Sequence, residues 1–304
     1  TVGAWGYSRG GMGSISKAMS KSLIASGGEI KAPAEVSKVL IKNNRCYGVV
    51  LKNGDEIYAK RIVSNMDVKR TFLKTVDKDQ LPEDFYKAVK NFKIRGSSGK
   101  LNIALDDLPK WKSIPVGDPA GTGDMHITQS IEEMEGAYDD WKKGEWSRFP
   151  YVDMCVPSIN DPTMAPQGKH YMSVFIQYVP YNLANGGWTE EKRLEFGKHV
   201  MGRIGEYSSN FNDIILHAEI RSPKELEEEV GLTEGNIFQG ELTMDQLMFN
   251  RPIPGFAQYK TPINNLYMCG SSTHPGGGVM GAPGANAARE ILLELGKKSE
   301  SHYI

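Results

Sequence analysis

The stretch Leu266 to Leu295, LYMCGSSTHPGGGVMGAPGANAAREILLEL, restricts the fold more than any other part of this 304-residue chain. A short apolar run, Leu266 to Cys269, is stopped at once by Gly270 and the glycines and proline beyond it, a length that suits only a buried strand. Ala288, Ile291, Leu292 and Leu295 recur at i, i+3, i+4 and i+7, the spacing of one helix face, and Pro283 suits the first turn of that helix. The order is therefore strand, glycine loop, helix start. Such a junction aims unpaired backbone N–H groups and the positive end of a helix dipole at one place, which suits an anion or an electron-rich carbonyl. Gly276, Gly277, Gly278 and Gly281 leave the backbone open to a flat ligand. A turn that merely packs a helix onto a sheet would carry the same glycines.

Gly276, Gly278 and Gly281 also spell G-x-G-x-x-G, but the spelling has the wrong context. A dinucleotide fingerprint follows its strand directly and belongs to a βαβ unit with an acidic residue roughly 20 positions on. Here five residues separate Gly270 from Gly276, and no second strand follows the helix.

The run CGSSTHPGGGVMGAPGANAA resembles the flavin-binding motif of the phytoene desaturase-like, phytoene dehydrogenase-related FAD-dependent oxidoreductases. GAWGYSRGGMGSISKAM at Gly3 to Met19, EGNIFQGELTMDQL at Glu234 to Leu247 and RPIPGFAQYKTPINNLY at Arg251 to Tyr267 resemble the same family. The resemblance implies FAD as cofactor. It places the backbone amides of Val279, Met280, Gly281 and Ala282 at the isoalloxazine, Gly270 and Ser271 along the ribityl-pyrophosphate, and the Val36 backbone against the adenine, with Gly278 also among the cofactor-binding residues. It also implies hydride transfer between carbon–carbon bonds of a lipophilic, isoprenoid-like substrate and the flavin. Members of this family are longer and carry the true dinucleotide fingerprint in an amino-terminal part, so the resemblance implies a carboxy-terminal fragment, inactive by itself. A flavoprotein-derived binding or scaffold protein without turnover is the second reading.

The expected fold is α/β, a partial FAD-binding Rossmann-like domain at 1–65 and 261–304, with an α+β substrate domain inserted at 66–260. Within the first part, Ile15, Met19, Leu23 and Ile24 share one face of a helix that Gly27-Gly28 ends. Glu29-Ile30 reads as a short strand, Val36 to Ile41 and Tyr47 to Leu51 as longer ones, and Arg61 to Ser64 as a buried one; Asn43-Asn44 and Asn53-Gly54 mark turns. In the insert, period-two runs (Leu101, Ile103, Leu105; Val152, Met154, Val156; Met172, Val174, Ile176) predict an antiparallel sheet with one face covered. Helices are expected over Asp84 to Phe92, Ser130 to Trp146, Thr189 to Phe211 and Lys224 to Val230.

Chemistry beyond the flavin is sparse. His126, His170, His199, His217 and His302 lack metal-ligand spacing, and His274 in T-H-P-G suits a turn. Tyr151, Tyr171, Phe175 and Tyr178 suit either the lining of a lipophilic tunnel or ordinary core. No residue is assigned a catalytic role, and no metal is expected. Cys46, Cys155 and Cys269 are odd in number and far apart, which predicts free thiols and a reducing, cytoplasmic setting, targeting signals upstream of Thr1 aside. A net charge of −1 with scattered lysines predicts no nucleic-acid partner. No run approaches the ~20 apolar residues of a membrane span, which leaves at most a peripheral membrane contact. An uncovered sheet edge predicts a homodimer.

Overall fold

The computed structural model describes residues 6–115 and 117–296; His302 and the opening residues of the Gly3 stretch lie outside them. In chain order the elements are α1 (Gly13–Ala25), β1 (Val36–Lys42), β2 (Arg45–Leu51), β3 (Glu56–Tyr58), β4 (Ile62–Ser64) and α2 (Glu83–Asn91). Then come β5 (Ser98–Leu105), β6 (Met125–Ile127), α3 (Ile131–Lys142), β7 (Tyr151–Cys155), β8 (His170–Gln177) and α4 (Glu190–Gly205). The last are α5 (Phe211–Ile214), β9 (Ile215–Arg221), α6 (Pro223–Glu225), β10 (Leu266–Met268) and α7 (Ala282–Glu294). Contacts divide the chain into a first unit, Thr1–Lys31 with Gly96–Glu229, and a second, Ala32–Arg95 with Val230–Ile304. The units change over at 31/32, 95/96 and 229/230, whereas the sequence reading divides the chain at 65/66 and 260/261. Two segments account for the difference: 66–95 packs Val68, Phe72, Phe85 and Val89 into the core of the second unit, and 230–260 wraps the buried Arg251 of that unit.

The first unit is built on a five-stranded antiparallel sheet in the order β6-β7-β8-β5-β9. Alternation fixes its faces: Leu101, Ile103 and Leu105 on β5 and Met172, Val174 and Ile176 on β8 are fully buried, as the period-two runs predict. Onto that face α4 lays Phe196, Val200 and Ile204, and Trp146, Trp188 and Phe196 meet with ring centroids 5.6–5.7 Å apart. Ser130 caps α3 by accepting from the Glu133 N–H at 3.2 Å, and Thr189 caps α4 by accepting from the Lys192 N–H at 3.2 Å.

Several expectations need correction in this unit. The helix expected to run from Thr189 to Phe211 stops at Gly205 and resumes as α5. Between them Asn210 is diverted to the 108–112 segment, accepting from the Lys110 N–H at 2.7 Å and donating to the Leu108 carbonyl at 3.1 Å. α3 ends at Lys142 because Gly144 takes a left-handed φ of 79° where a side chain would press on the Asn182 carbonyl. The acidic segment after β9 is a three-residue helix followed by a π-turn, held by a capping box between Ser222 and Glu225. Glu29-Ile30 is not a strand, and Ile30 is exposed.

In the second unit β1, β2 and β3 form an antiparallel meander, turned at Asn43 and Asn44, whose φ values are 51° and 56°. β4 and β10 lie side by side and parallel, Ile62 opposite Leu266 and Ser64 opposite Met268, although about 200 residues separate them in sequence. Phe72, Phe85 and Phe256 pack edge to face at 4.8 Å, with Val39, Ile94 and Ile263 in the same core. α7 begins and ends as its spacing predicts, but it buries a different stripe: Pro283 and Ala287 are buried, while Ala288 and Leu295 are exposed. Among the described residues no helix is long and apolar enough to cross a membrane, and all three cysteines are free.

Ile103 lies fully buried on β5, an interior strand of the five-stranded sheet. Its truncation, Ile103→Ala, should cost about 2–5 kcal/mol in a urea-unfolding experiment, by lost burial plus the cavity left behind. Ala104→Ser, one residue on and exposed, should stay within about 0.5 kcal/mol of wild type in the same experiment.

Candidate functional site

The glycine-loop junction lies wholly in the second unit and is assembled from β10 outward. All three residues of β10 are buried, and the Cys269 N–H continues its pairing with β4 by donating to the Ser64 carbonyl at 2.8 Å. At Gly270 the chain crosses the end of β4 so closely that a Cβ would stand 2.3 Å from the Asn65 carbonyl oxygen, a backbone atom that cannot yield. The next residues are fixed by polar contacts. Ser271 turns its carbonyl to Arg251, which donates to it from Nε at 3.1 Å and Nη2 at 2.8 Å. Ser272 and Thr273 are fully buried: Ser272 donates to the Gln239 carbonyl and accepts from the Val68 N–H, and Thr273 donates to the Gly270 carbonyl. Burial makes the thiol of Cys269 harder to ionise, in keeping with a packing role.

Arg251 is the residue that sequence reasoning missed. It is 0% exposed, and besides Ser271 its guanidinium donates to the carbonyls of Phe238 (2.8 Å), Glu241 and Gln246 (3.3 Å each) and Gly240 (3.4 Å). Burial without a carboxylate lowers its pKa to about 10, which keeps it charged at neutral pH. An arginine in R-P-I-P-G carries no local signal of burial; the clue in retrospect is that 236–250 has no periodic pattern to satisfy its own carbonyls.

Past Thr273 the loop opens. Tyr259 spans its two ends, donating to the His274 carbonyl at 2.8 Å and accepting from the Asn286 amide of α7 at 2.9 Å. His274 is thus held through its backbone, in line with a turn role. Gly276, Gly278 and Gly281 have φ of 108°, 140° and 65°, conformations that side chains resist, and Val279 and Met280 are 68% and 55% exposed. Gly281 caps α7 with no side chain accepting from the first-turn N–H groups. The helix therefore presents its partial positive charge at residues 279–282 with no side-chain cap among the described residues. Beside Gly270, the buried Gln239 Oε1 has no hydrogen-bond partner. Bare amides, a path clear of side chains and an orphaned amide group suit a long polar ligand with an electron-rich planar end. Of the residues named from sequence, Gly270, Ser271, Gly278, Val279, Met280, Gly281 and Ala282 fall along this one loop, and Val36 stands apart, half-buried at the start of β1 opposite Leu51.

Two glycines of this region should respond in opposite directions when changed to alanine. Gly270→Ala forces the Asn65 backbone aside and should lower the melting temperature markedly, with a loss of about 2 kcal/mol or more. Gly284→Ala sits in the helical α7 with nothing within 4 Å of the new Cβ and should gain about 0.5 kcal/mol in the same measurement.

No family model matches the chain. Individual proteins do. Pyridine nucleotide-disulfide oxidoreductase domain-containing protein 2 of Rattus norvegicus is 38% identical over 301 residues, covering 96% of this chain and 52% of that protein. A chloroplastic prolycopene isomerase of Daucus carota is 28% identical over 315 residues, covering 98% of this chain and 46% of that protein. In fold, an oxidoreductase from Methanosarcina mazei matches with a TM-score of 0.55 at 19% identity, over 94% of this chain and 55% of that one. The chain spans about half the length of the curated relatives it matches. Over nearly its whole length the chain is similar in sequence to these two proteins, and in fold it matches the Methanosarcina mazei oxidoreductase.

Proposed function

We propose that the second unit contributes to an FAD site and the first to a substrate site of an oxidoreductase that moves hydrogen at carbon–carbon bonds of a lipophilic, isoprenoid-like molecule. The observation that carries the reading is the N-terminus of α7, without a side-chain cap, behind a loop in which Gly276, Gly278 and Gly281 hold positive φ. The N–H groups of Val279 to Ala282 would face the N1/C2 carbonyl edge of the flavin, where the helix dipole favours electron-rich oxygen. Gly270 and Ser271 would run beside the ribityl-pyrophosphate, with the free Gln239 Oε1 as an acceptor for a ribityl hydroxyl. The Val36 backbone would meet the adenine, an assignment supported by the family resemblance alone. When bound, FAD supplies the hydride acceptor or donor. The chain's own part is to hold the ring, exclude water and orient the substrate.

The isoprenoid class draws its support from the prolycopene isomerase, a relative whose name states its substrate. The second reading is a flavoprotein-derived binding protein without turnover, since a shared fold does not fix a reaction.

Titrating the purified chain with FAD while following flavin fluorescence separates the two. Quenching at or below about 10 μM protein is expected, and Gly278→Val, which fills the open path, should weaken binding by about tenfold or more. Absence of quenching at roughly 100 μM rules out flavin binding by this chain alone; quenching that Gly278→Val leaves unchanged moves the site elsewhere.

A further inference from the structure

The sheet of the first unit has two faces, and packing explains only one. On the face opposite the core, the strand register lines up Arg221, Lys100, Phe175, Asp153 and His126 across all five strands. Tyr151, Tyr171 and Phe175, which sequence alone could place either in a core or along a tunnel, all project to this second face and are half-buried there. The face is thus aromatic as well as charged.

Two of its acids have donors: Asp124 accepts from the Tyr7 hydroxyl at 3.2 Å, and Glu219 pairs with Arg221 at 2.6 Å. Asp153 lies 3.7 Å from the His126 ring, outside hydrogen-bond range. The half-buried ammonium of Lys100 donates to the Ser173 hydroxyl and forms no ion pair among the described residues. Asp153 sits in the same row but two strands away, roughly 10 Å at the usual strand spacing. Burial accordingly pulls the lysine's pKa down, against the opposing pull of Cys155 and Asp153. A withdrawn cation whose only direct partner is one neutral hydroxyl has no anion in contact with it to offset its desolvation.

We propose that this face binds a lipophilic molecule with a carboxylate head, the carboxylate on Lys100 and Ser173 and the chain along Phe175, Tyr171 and Tyr151. Charge complementarity selects the head, since a neutral or cationic group would leave the ammonium unanswered. The aromatic surface on the same face selects an apolar tail. The inference stands on the first unit alone. If the oxidoreductase reading holds, it names that enzyme's substrate class as a lipophilic acid rather than a pure hydrocarbon.

The test uses the whole chain without flavin, titrated calorimetrically below the micelle limit with dodecanoate, 1-dodecanol and dodecyltrimethylammonium. Dodecanoate should bind about tenfold or more tightly than dodecanol, the scale of a hydrogen bond to a charged group, and the ammonium most weakly. Lys100→Met should erase the preference for dodecanoate while leaving dodecanol binding as it was, and Lys100→Arg should keep most of it. The retained dodecanol affinity shows that the variant is folded; should Lys100→Met unfold instead, Lys100→Arg against wild type and the three-ligand ranking still decide. Equal affinity for the three amphiphiles, or a dodecanoate affinity that Lys100→Met leaves intact, overturns the proposal. FAD titration of Lys100→Met reads the flavin site separately, so either idea can fail without the other.

Discussion

The second unit depends on one buried cation. Arg251 brings five backbone carbonyls, those of Phe238, Gly240, Glu241, Gln246 and Ser271, onto a single planar fork. These carbonyls belong to stretches with little regular structure, where no ladder or helix would satisfy them, and a buried carbonyl left unpaired costs on the order of 1–3 kcal/mol. Lysine could not replace it, because one ammonium offers three donors at a point while guanidinium offers five in a fixed plane. The glycine loop inherits its rigidity from this contact. Ser271 is anchored by Arg251, Ser272 and Thr273 are anchored beside it, and only beyond them does the chain release into the open glycines.

Rigidity at one end and openness at the other is the combination a ligand loop needs. A cradle whose backbone had to reorganise on binding would lose affinity to the entropy of ordering. Here Tyr259 ties the loop's start to α7, so the N-terminus of the helix is held relative to β10 by a tyrosine hydroxyl with a partner on each side. The cost of such a design is that glycine positions cease to be interchangeable. Gly270 is required by the Asn65 backbone and Gly277 by the ring of Phe238, whereas Gly284 meets nothing.

What could be read from sequence follows from the range of the interaction involved. Strands β5, β7 and β8 were legible because alternation is local, and Leu101, Val152 and Met172 each announce their face within a few residues. The starts of α3, α4 and α7 were legible for the same reason, through Ser130, Thr189 and Pro283. Long-range contacts were not. Nothing near Asn210 tells that its amide will break a helix to bind residues 108–110, and nothing near Arg251 tells that five carbonyls await it. The face of α7 was misjudged because hydrophobicity was weighed over size: the narrow Pro283 and Ala287 are buried, and leucines 293 and 295 face outward. Of the site, the loop residues were legible as a glycine pattern; Gln239 was not, since a lone glutamine in a loop carries no periodicity.

Two withdrawn cations, Arg251 and Lys100, show how structure and function separate in physical terms. Arg251 and Lys100 are both pulled from water, and burial lowers the pKa of each. Arg251 has spent its donors on protein carbonyls, so its charge is answered by aligned dipoles and its role is complete within the fold. Lys100 has a single hydroxyl beside it and no acid in contact, Asp124 and Glu219 on the same face being held by Tyr7 and Arg221. A charge that the fold itself does not answer is costly to keep in place unless something outside the chain answers it. By that criterion Arg251 belongs to the scaffold and Lys100 to the proposed ligand face, a distinction that neither residue type nor degree of burial could draw.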